Sequence, residues 1–138
     1  MSYNAYVCAI LPNPFSLMAA RNIISWVLQV ILGLAFILSG ANKFLHLEDT
    51  VGMFGSMGLP AALTYLVAGG EVLGGIGLLI PRFVRPAAMG LIIIMIGAVI
   101  MHATKIPGGL AKGVPAIALL VLLVVLLALR RPVPARLT

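Results

Sequence analysis

The chain has little charge, very few acids and a single cysteine. Only 9% of its 138 residues are charged and three are acidic, whereas 62% are hydrophobic; an ordinary soluble domain has about 25% charged residues. So few charges cannot cover the exterior of a water-soluble globule, and so high an apolar content excludes disorder. We therefore predict one compact integral membrane domain.

The shortage of cysteine and of aromatic residues excludes further classes. Cys8 alone can form neither an internal disulfide nor a C-x-x-C redox pair, and we interpret it as a small apolar residue. The net charge of +6 comes from scattered Lys and Arg without interleaved aromatics, so we expect no nucleic-acid partner. His46 and His102 lack the spacing of a haem or metal site, so neither metal ligands nor a covalently bound cofactor are predicted.

Long uncharged stretches predict four transmembrane helices. A helix needs about 20 apolar residues to cross the hydrocarbon core of a bilayer, and the predicted spans are about 23–41, 60–80, 87–103 and 114–129. Short connections make consecutive helices antiparallel. The predicted fold is therefore all-α: an integral membrane antiparallel four-helix bundle over residues 21–131.

The first connection of this bundle carries a helical pattern of its own. Leu47, Val51 and Phe54 fall on one helical face with acidic residues between them, which predicts a short interfacial helix between helices 1 and 2. We expect residues 81–86 to turn the second helix directly into the third, and residues 105–113 to form a loop.

The distribution of Lys and Arg predicts an orientation. The side that holds both predicted termini has twice as many basic residues as the other side, so by the positive-inside rule both termini are cytoplasmic and 132–138 is a cytoplasmic tail. The first set is Arg21, Arg82, Arg85, Arg130, Arg131 and Arg136, and the second is Lys43, Lys105 and Lys112.

Residues 1–20 form a predicted N-terminal arm with two interpretations. Residues 1–17 carry no side-chain charge, are interrupted by Pro12 and Pro14, and are too short to span a membrane. Either the natural start is Met18 and the preceding residues lie upstream of it, or the arm lies at the interface with its aromatic side chains at headgroup depth.

Glu71 is the first candidate functional residue. It follows Pro60 by eleven residues and precedes Ile80 by nine, so the helical rise places it near the bilayer midplane. A charged side chain there costs several kcal/mol unless it is protonated, paired or facing water. We interpret Glu71 as a proton-handling catalytic group; the structural alternative is that it stays neutral and bonds a neighbouring helix.

Polar residues toward the outer half of the bilayer are candidate ligand-binding partners of Glu71. Ser39 and Lys43 are four residues apart, so they share one face of the first helix. The helical rise places His102 about 10 Å from Glu71 along the membrane normal, so only a ligand or waters would bridge the two. The predicted ligand-binding set is Ser39, Asn42, Lys43, Tyr65 and His102.

Glycines are predicted to let the helices approach closely. Gly70 and Gly74 form a G-x-x-x-G pair around Glu71, and glycine pairs recur at seven-residue spacing on the first and third helices. The predicted helix-packing set is Gly33, Gly40, Gly70, Gly74, Gly75, Gly90 and Gly97.

Two motifs resemble the DoxX family of small four-helix bacterial membrane proteins. One is the S-G-x-x-K end of the first helix at 39–43, and the other is the E-x-x-G-G of the second helix at 71–75. The resemblance covers about 23–129. The best-known relatives are small membrane subunits of thiosulfate:quinone oxidoreductase, so it implies a multi-pass subunit of the bacterial inner membrane, on the quinone side of an electron-transfer or sulfur-oxidising complex.

Three functions are consistent with these residues. In a redox subunit, Glu71 would handle protons, Lys43 or His102 would hydrogen-bond a quinone oxygen, and a partner chain would supply electrons. In a noncatalytic anchor or scaffold, Glu71 would only fix helix packing. A small proton-coupled exporter is disfavoured because the acid lies on the second helix and the charge bias is strong. The expected partners are membrane lipid and other subunits or a second copy of the chain, with a quinone as candidate ligand.

Overall fold

The computed structural model describes residues 13–131 of the chain. Within this range the fold is all-helical, as predicted, and contains no strand. The helices in chain order are α1 (Pro14–Leu45), α2 (Leu47–Ser56), α3 (Ala61–Leu79), α4 (Val84–Thr104), α5 (Gly109–Lys112) and α6 (Val114–Leu129).

The first helix is longer than the predicted span of 23–41. It begins at Pro14 because Asn13 caps it: the Asn13 side chain accepts a hydrogen bond from the backbone N–H of Phe15 at 3.2 Å, and a proline at the first helical position has no N–H to satisfy. Residues 14–20, predicted as part of an arm, therefore continue α1 without a break. The remainder of the predicted arm, like the predicted tail, lies outside the described residues.

The predicted short helix between the first two long helices is α2. It begins at Leu47, directly after α1, and its buried residue Thr50 donates a hydrogen bond to the His46 carbonyl at 2.8 Å. This bond anchors the start of α2 to the end of α1. The helix itself is confirmed, and its position on the bilayer surface stays a prediction.

The two later connections are more helical than predicted. Residues Pro81–Phe83 form a 3-10 turn, and α4 begins at Val84, three residues before the predicted start. The predicted loop at 105–113 contains the one-turn helix α5, because Gly108 and Gly109 adopt φ values of +96° and +57° that reverse the chain ahead of it.

The four longest helices pack in the order α1, α3, α4, α6, and α6 returns to contact α1. The contact between α1 and α3 is the most extensive. Leucines dominate the apolar core. The core residues of each helix recur every three to four positions, so they lie on one face of that helix. Its fully buried members are Leu32, Phe36, Leu78, Val84, Ala88, Leu91, Leu123 and Leu126.

Among the described residues, three helical segments are long and apolar enough to cross a membrane: Phe15–Leu45, Ala61–Leu79 and Pro81–Thr104. Val114–Leu129 is apolar but shorter, with 16 residues. Large apolar side chains also face outward along these helices, including Leu66, Leu73 and Ile93, each about 70% exposed. So broad an apolar exterior suits lipid rather than water.

Candidate functional site

Glu71 lies on the face of α3 that packs against α1, and only 2% of the residue is exposed. The buried positions of α3 recur every three to four residues, which is the period of one helical face. They are Thr64, Ala68, Glu71, Gly75 and Leu78. The chain therefore places its carboxylate among residues that would otherwise form an ordinary helix contact.

Lys43 and Ser39 of α1 bind the carboxylate of Glu71. The Lys43 ammonium nitrogen lies 2.8 Å from Glu71 Oε2, and the Ser39 hydroxyl donates to the same oxygen at 2.9 Å. Lys43 also donates to Ser39 Oγ at 2.9 Å. The three side chains form a closed triangle of an ion pair and two hydrogen bonds, named below the Glu71 triad.

Two glycines bring the α1 and α3 backbones together around this triad. A Cβ added to Gly40 would lie 2.6 Å from the Ala68 carbonyl oxygen, and one added to Gly75 would lie 2.7 Å from the Gly33 carbonyl oxygen. Only glycine fits where a backbone approaches this closely. The short Ser39 side chain reaches Glu71 because the two helices are this near.

The triad keeps one carboxylate oxygen free. No described residue donates a hydrogen bond to Glu71 Oε1. This oxygen is not one of the fully buried side-chain atoms that lack a hydrogen-bond partner, so it is not completely sealed from solvent. The Lys43 side chain is 23% exposed, whereas that of Glu71 is 3% exposed. The carboxylate is therefore buried, and Lys43 is the more exposed member of the ion pair.

The structure does not bring the other three predicted ligand-binding residues to this triad. Asn42 is exposed, and Tyr65 is 50% exposed. The His102 ring bonds the carbonyl of Ala98 in its own helix at 2.8 Å. Within residues 13–131, no three His, Cys, Asp or Glu side chains cluster as metal ligands.

The predicted packing glycines fall into three groups. Gly33, Gly40 and Gly75 line the contact between α1 and α3. Gly70 and Gly74 instead face side chains of α4. Gly90 and Gly97 were wrongly predicted to pack: an added Cβ at either would meet nothing within 4 Å. Seven-residue spacing puts two glycines on one helical face, but no heavy atom of another helix comes within 4 Å of an added Cβ at either position.

An open apolar groove of about 460 Å³ runs between α3 and α4. Gly70 and Gly74 form part of its wall on α3, and Gly90 and Leu91 form part of its wall on α4. Glu71 is not among its lining residues, because it faces α1. This groove and the candidate site thus lie on different faces of α3.

A second polar cluster, which the sequence analysis missed, lies at the other end of α1. Gln29 is fully buried, donates to the Leu78 carbonyl at 3.0 Å, and accepts a hydrogen bond from Arg130 at 2.7 Å. Ser25 is 1% exposed, one turn earlier on the same face. Their four-residue spacing inside a long uncharged stretch is the signal that could have revealed this cluster.

Apolar helices of membrane-crossing length around a buried acid–lysine pair define a membrane protein with a polar site between its first two long helices. The DoxX family model matches residues 25–104, and the chain belongs to the DoxX family. It is 35% identical over 80 residues to the Bacillus subtilis (strain 168) protein named "Putative oxidoreductase CatD". That match covers 58% of this chain and 60% of the relative, and no solved structure matches.

Proposed function

We propose that this chain is a membrane subunit of a quinone-linked or sulfur-oxidising redox complex of the bacterial inner membrane. The observation that carries the proposal is the Glu71 triad, an ion pair held between two apolar helices. The word oxidoreductase in the name of the Bacillus subtilis relative supports a redox role.

The proposal includes four membrane crossings, by α1, α3, α4 and α6, in an antiparallel four-helix bundle. The 16 residues of α6 span about 24 Å, which is short for a bilayer, and the arginines that follow can extend to the headgroups. By the excess of arginine at that end, both termini are cytoplasmic. The helix α2 then lies on the outer surface.

The chemistry proposed for Glu71 is proton exchange at its free oxygen. Ser39 and Lys43 hold Oε2, so Oε1 can gain or lose a proton without releasing the side chain from α1. A leucine here would bury more apolar surface without the desolvation cost of two charges. Retaining an acid and a lysine here is therefore easier to explain by chemistry than by packing.

The donor set of the triad fits a quinone. A quinone supplies a carbonyl pair that takes up two electrons and two protons. The Lys43 ammonium, being partly exposed, can donate a hydrogen bond to such a carbonyl. Glu71 would take up a proton from water at Oε1 and pass it to the reduced quinone, once for each of the two protons. The electrons would come from a partner chain.

A scaffold role is the second candidate, and the close backbone contact of α1 with α3 favours it. Gly40 and Gly75 make contacts that a protein needs for tight packing whether or not chemistry takes place. In that case the ion pair would only fix the register of the two helices. The exporter stays disfavoured, and it is distinguished by the same experiment.

Replacement of Glu71 by Gln tests the proposal. We would complement a deletion strain of the source bacterium with the wild-type, Glu71→Gln or Glu48→Gln chain. Glu48 is the control because it is an exposed acid on α2, and its replacement changes the charge equally. Three readouts are compared: thiosulfate- or sulfide-dependent reduction of a soluble quinone analogue by isolated membranes, assembly on blue-native gels, and pH-dependent efflux of a cationic dye from whole cells.

We expect Glu71→Gln to lower quinone reduction by about 100-fold or more while the complex still assembles, because general acid–base groups contribute about this much. Glu48→Gln should have the wild-type rate. Loss of the assembled complex in Glu71→Gln would support the scaffold instead. Wild-type turnover combined with loss of pH-dependent efflux would support the exporter.

A further inference from the structure

Arg130 binds the buried Gln29 at the end of the molecule opposite Lys43. Gln29 accepts a hydrogen bond from Arg130 Nε at 2.7 Å, and Arg130 Nη1 donates to the Asn22 side chain at 3.3 Å. The Arg130 guanidinium carbon lies 5.7 Å from the centre of the Trp26 ring. Two side-chain amides and one aromatic ring therefore hold this guanidinium in place.

Arg21 adds a second guanidinium beside the first. It donates to the Leu129 carbonyl at 2.7 Å and to the Arg131 carbonyl at 3.2 Å, which are the carbonyls on either side of Arg130. These bonds satisfy backbone groups at the end of α6 that have no partner within the helix. The two positive charges are thereby held at one corner between α1 and α6.

No acid of the chain neutralises this corner. Its three acids are Glu48, Asp49 and Glu71; the first two lie on α2 at the other end, and Glu71 binds Lys43. Arg130 Nη2 is buried and has no hydrogen-bond partner among the groups that the structure describes. A buried donor of a charged group left without an acceptor is costly, so the corner lacks an anion.

We propose that Arg130, with Arg21 beside it, binds the phosphate of an anionic phospholipid headgroup. The bond from Arg130 Nη1 to Asn22 is the longest in the cluster, and Asn22 is exposed. A phosphate that displaced Asn22 would meet Nη1 and Nη2 together, in the two-point geometry that guanidinium groups make with phosphate. This site is separate from the Glu71 triad and does not depend on a redox role.

The surroundings of this corner favour a lipid over free phosphate. Exposed apolar side chains flank it on α1, with Ile23 64% exposed and Val27 51% exposed, and Trp26 is 40% exposed. Acyl chains can lie along these residues while the headgroup reaches the arginines. Basic pockets between transmembrane helices on the cytoplasmic side are where anionic headgroups bind.

Lipid binding to the purified full-length chain tests the proposal. Native mass spectrometry of the protein in detergent gives the apparent Kd for phosphatidylglycerol and for phosphatidylcholine with identical acyl chains, with and without inorganic phosphate. We expect wild type to bind phosphatidylglycerol at least about tenfold more tightly than phosphatidylcholine, because the choline cation of phosphatidylcholine cancels the charge of its phosphate and is repelled by the two arginines. Millimolar phosphate should not displace the lipid.

Two arginine variants make the test specific to one guanidinium. Arg130→Gln should lose the preference for phosphatidylglycerol, and Arg131→Gln should keep it, because Arg131 is exposed and its replacement changes the charge equally. Arg130→Lys, which keeps the charge but not the forked donors, should bind between the two. If Arg130→Gln does not fold, the wild-type lipid comparison and Arg130→Lys decide.

Three outcomes would overturn the lipid site. Equal losses in Arg130→Gln and Arg131→Gln would mean that overall charge attracts the lipid. Equal affinity of wild type for the two lipids would mean that the corner does not select a headgroup with a net negative charge. Displacement by millimolar phosphate would mean that the corner binds a free anion.

Discussion

The two faces of α3 differ in how their glycines meet the neighbouring helix. Toward α1, an added Cβ on Gly75 would strike the Gly33 carbonyl oxygen at 2.7 Å, so backbone lies against backbone. Toward α4, an added Cβ on Gly74 would strike the Leu91 side chain at 2.6 Å, and one on Gly70 would strike the tip of Ile94 at 2.9 Å. At Gly75 the contact is with backbone atoms, whereas at Gly70 and Gly74 it is with side chains that can move.

The Glu71 triad lies on the face of α3 that packs against α1. Buried ion pairs are favourable only when their geometry is well fixed and their remaining hydrogen bonds are made. The backbone contacts next to Ser39 and Glu71 supply that fixed geometry. The face toward α4 carries an apolar groove and no ionisable side chain among the residues that line it. Tight packing and charge burial therefore occur together in this molecule.

The largest effect on stability is expected from breaking the ion pair. Lys43→Met leaves the Glu71 carboxylate buried without its cation, which should lower the free energy of unfolding by about 3 kcal/mol. Titration of the protein in mixed micelles with SDS, followed by circular dichroism, measures this. Lys105→Met is the control, because Lys105 is exposed and makes no ion pair within the described chain.

The double variant Lys43→Met/Glu71→Leu sharpens the same comparison. Replacing both charges by apolar groups should restore most of the lost stability, because buried pairs are often no more stable than hydrophobic replacements. A double variant as unstable as Lys43→Met would mean that packing, not charge, is what the single variant disturbs.

The next largest effect is expected from adding a methyl group to the close contact between α3 and α1. Gly75→Ala places a methyl group against backbone atoms that cannot rotate away, so it should cost about 2–3 kcal/mol. Gly69→Ala in the same helix is the control, because an added Cβ there meets nothing within 4 Å. The same SDS titration measures both variants. Equal stabilities would show that α1 and α3 do not approach this closely.

The smallest effect is expected on the face toward α4. Gly74→Ala meets only the Leu91 side chain, which can change rotamer, so we expect a loss of about 1 kcal/mol. Adding Leu91→Val should recover part of that loss, whereas Gly97→Ala should change stability by less than about 0.5 kcal/mol. A loss as large as that of Gly75→Ala would contradict the difference between the two faces.

The helices were largely predictable from sequence because each must bury or present a long apolar surface. The extension of α1 back to Pro14 was not predicted, although an Asn followed by Pro is a recognised start signal. The short helix α5 was missed because one helical turn has no periodicity to detect. The sequence shows Gly108 and Gly109, but only the backbone angles show that both adopt positive φ values.

The candidate site was predictable only in part. Ser39 and Lys43 share a helical face by their spacing alone, and Glu71 stands out as an acid in an apolar stretch. Which outer residues meet that acid depends on the relative height and rotation of α1 and α3. One sequence does not contain this information, so the predicted set contains Asn42, Tyr65 and His102 beside the two residues that make the contact.

The close backbone contact between α1 and α3 fixes the geometry of the Glu71 triad. Gly40 and Gly75 touch the opposite helix on either side of Glu71, so the gap from Ser39 to the carboxylate is set by two spacers of main chain. Main-chain atoms cannot rotate away as side chains can, so the distance from Ser39 to the carboxylate cannot change unless α1 and α3 separate.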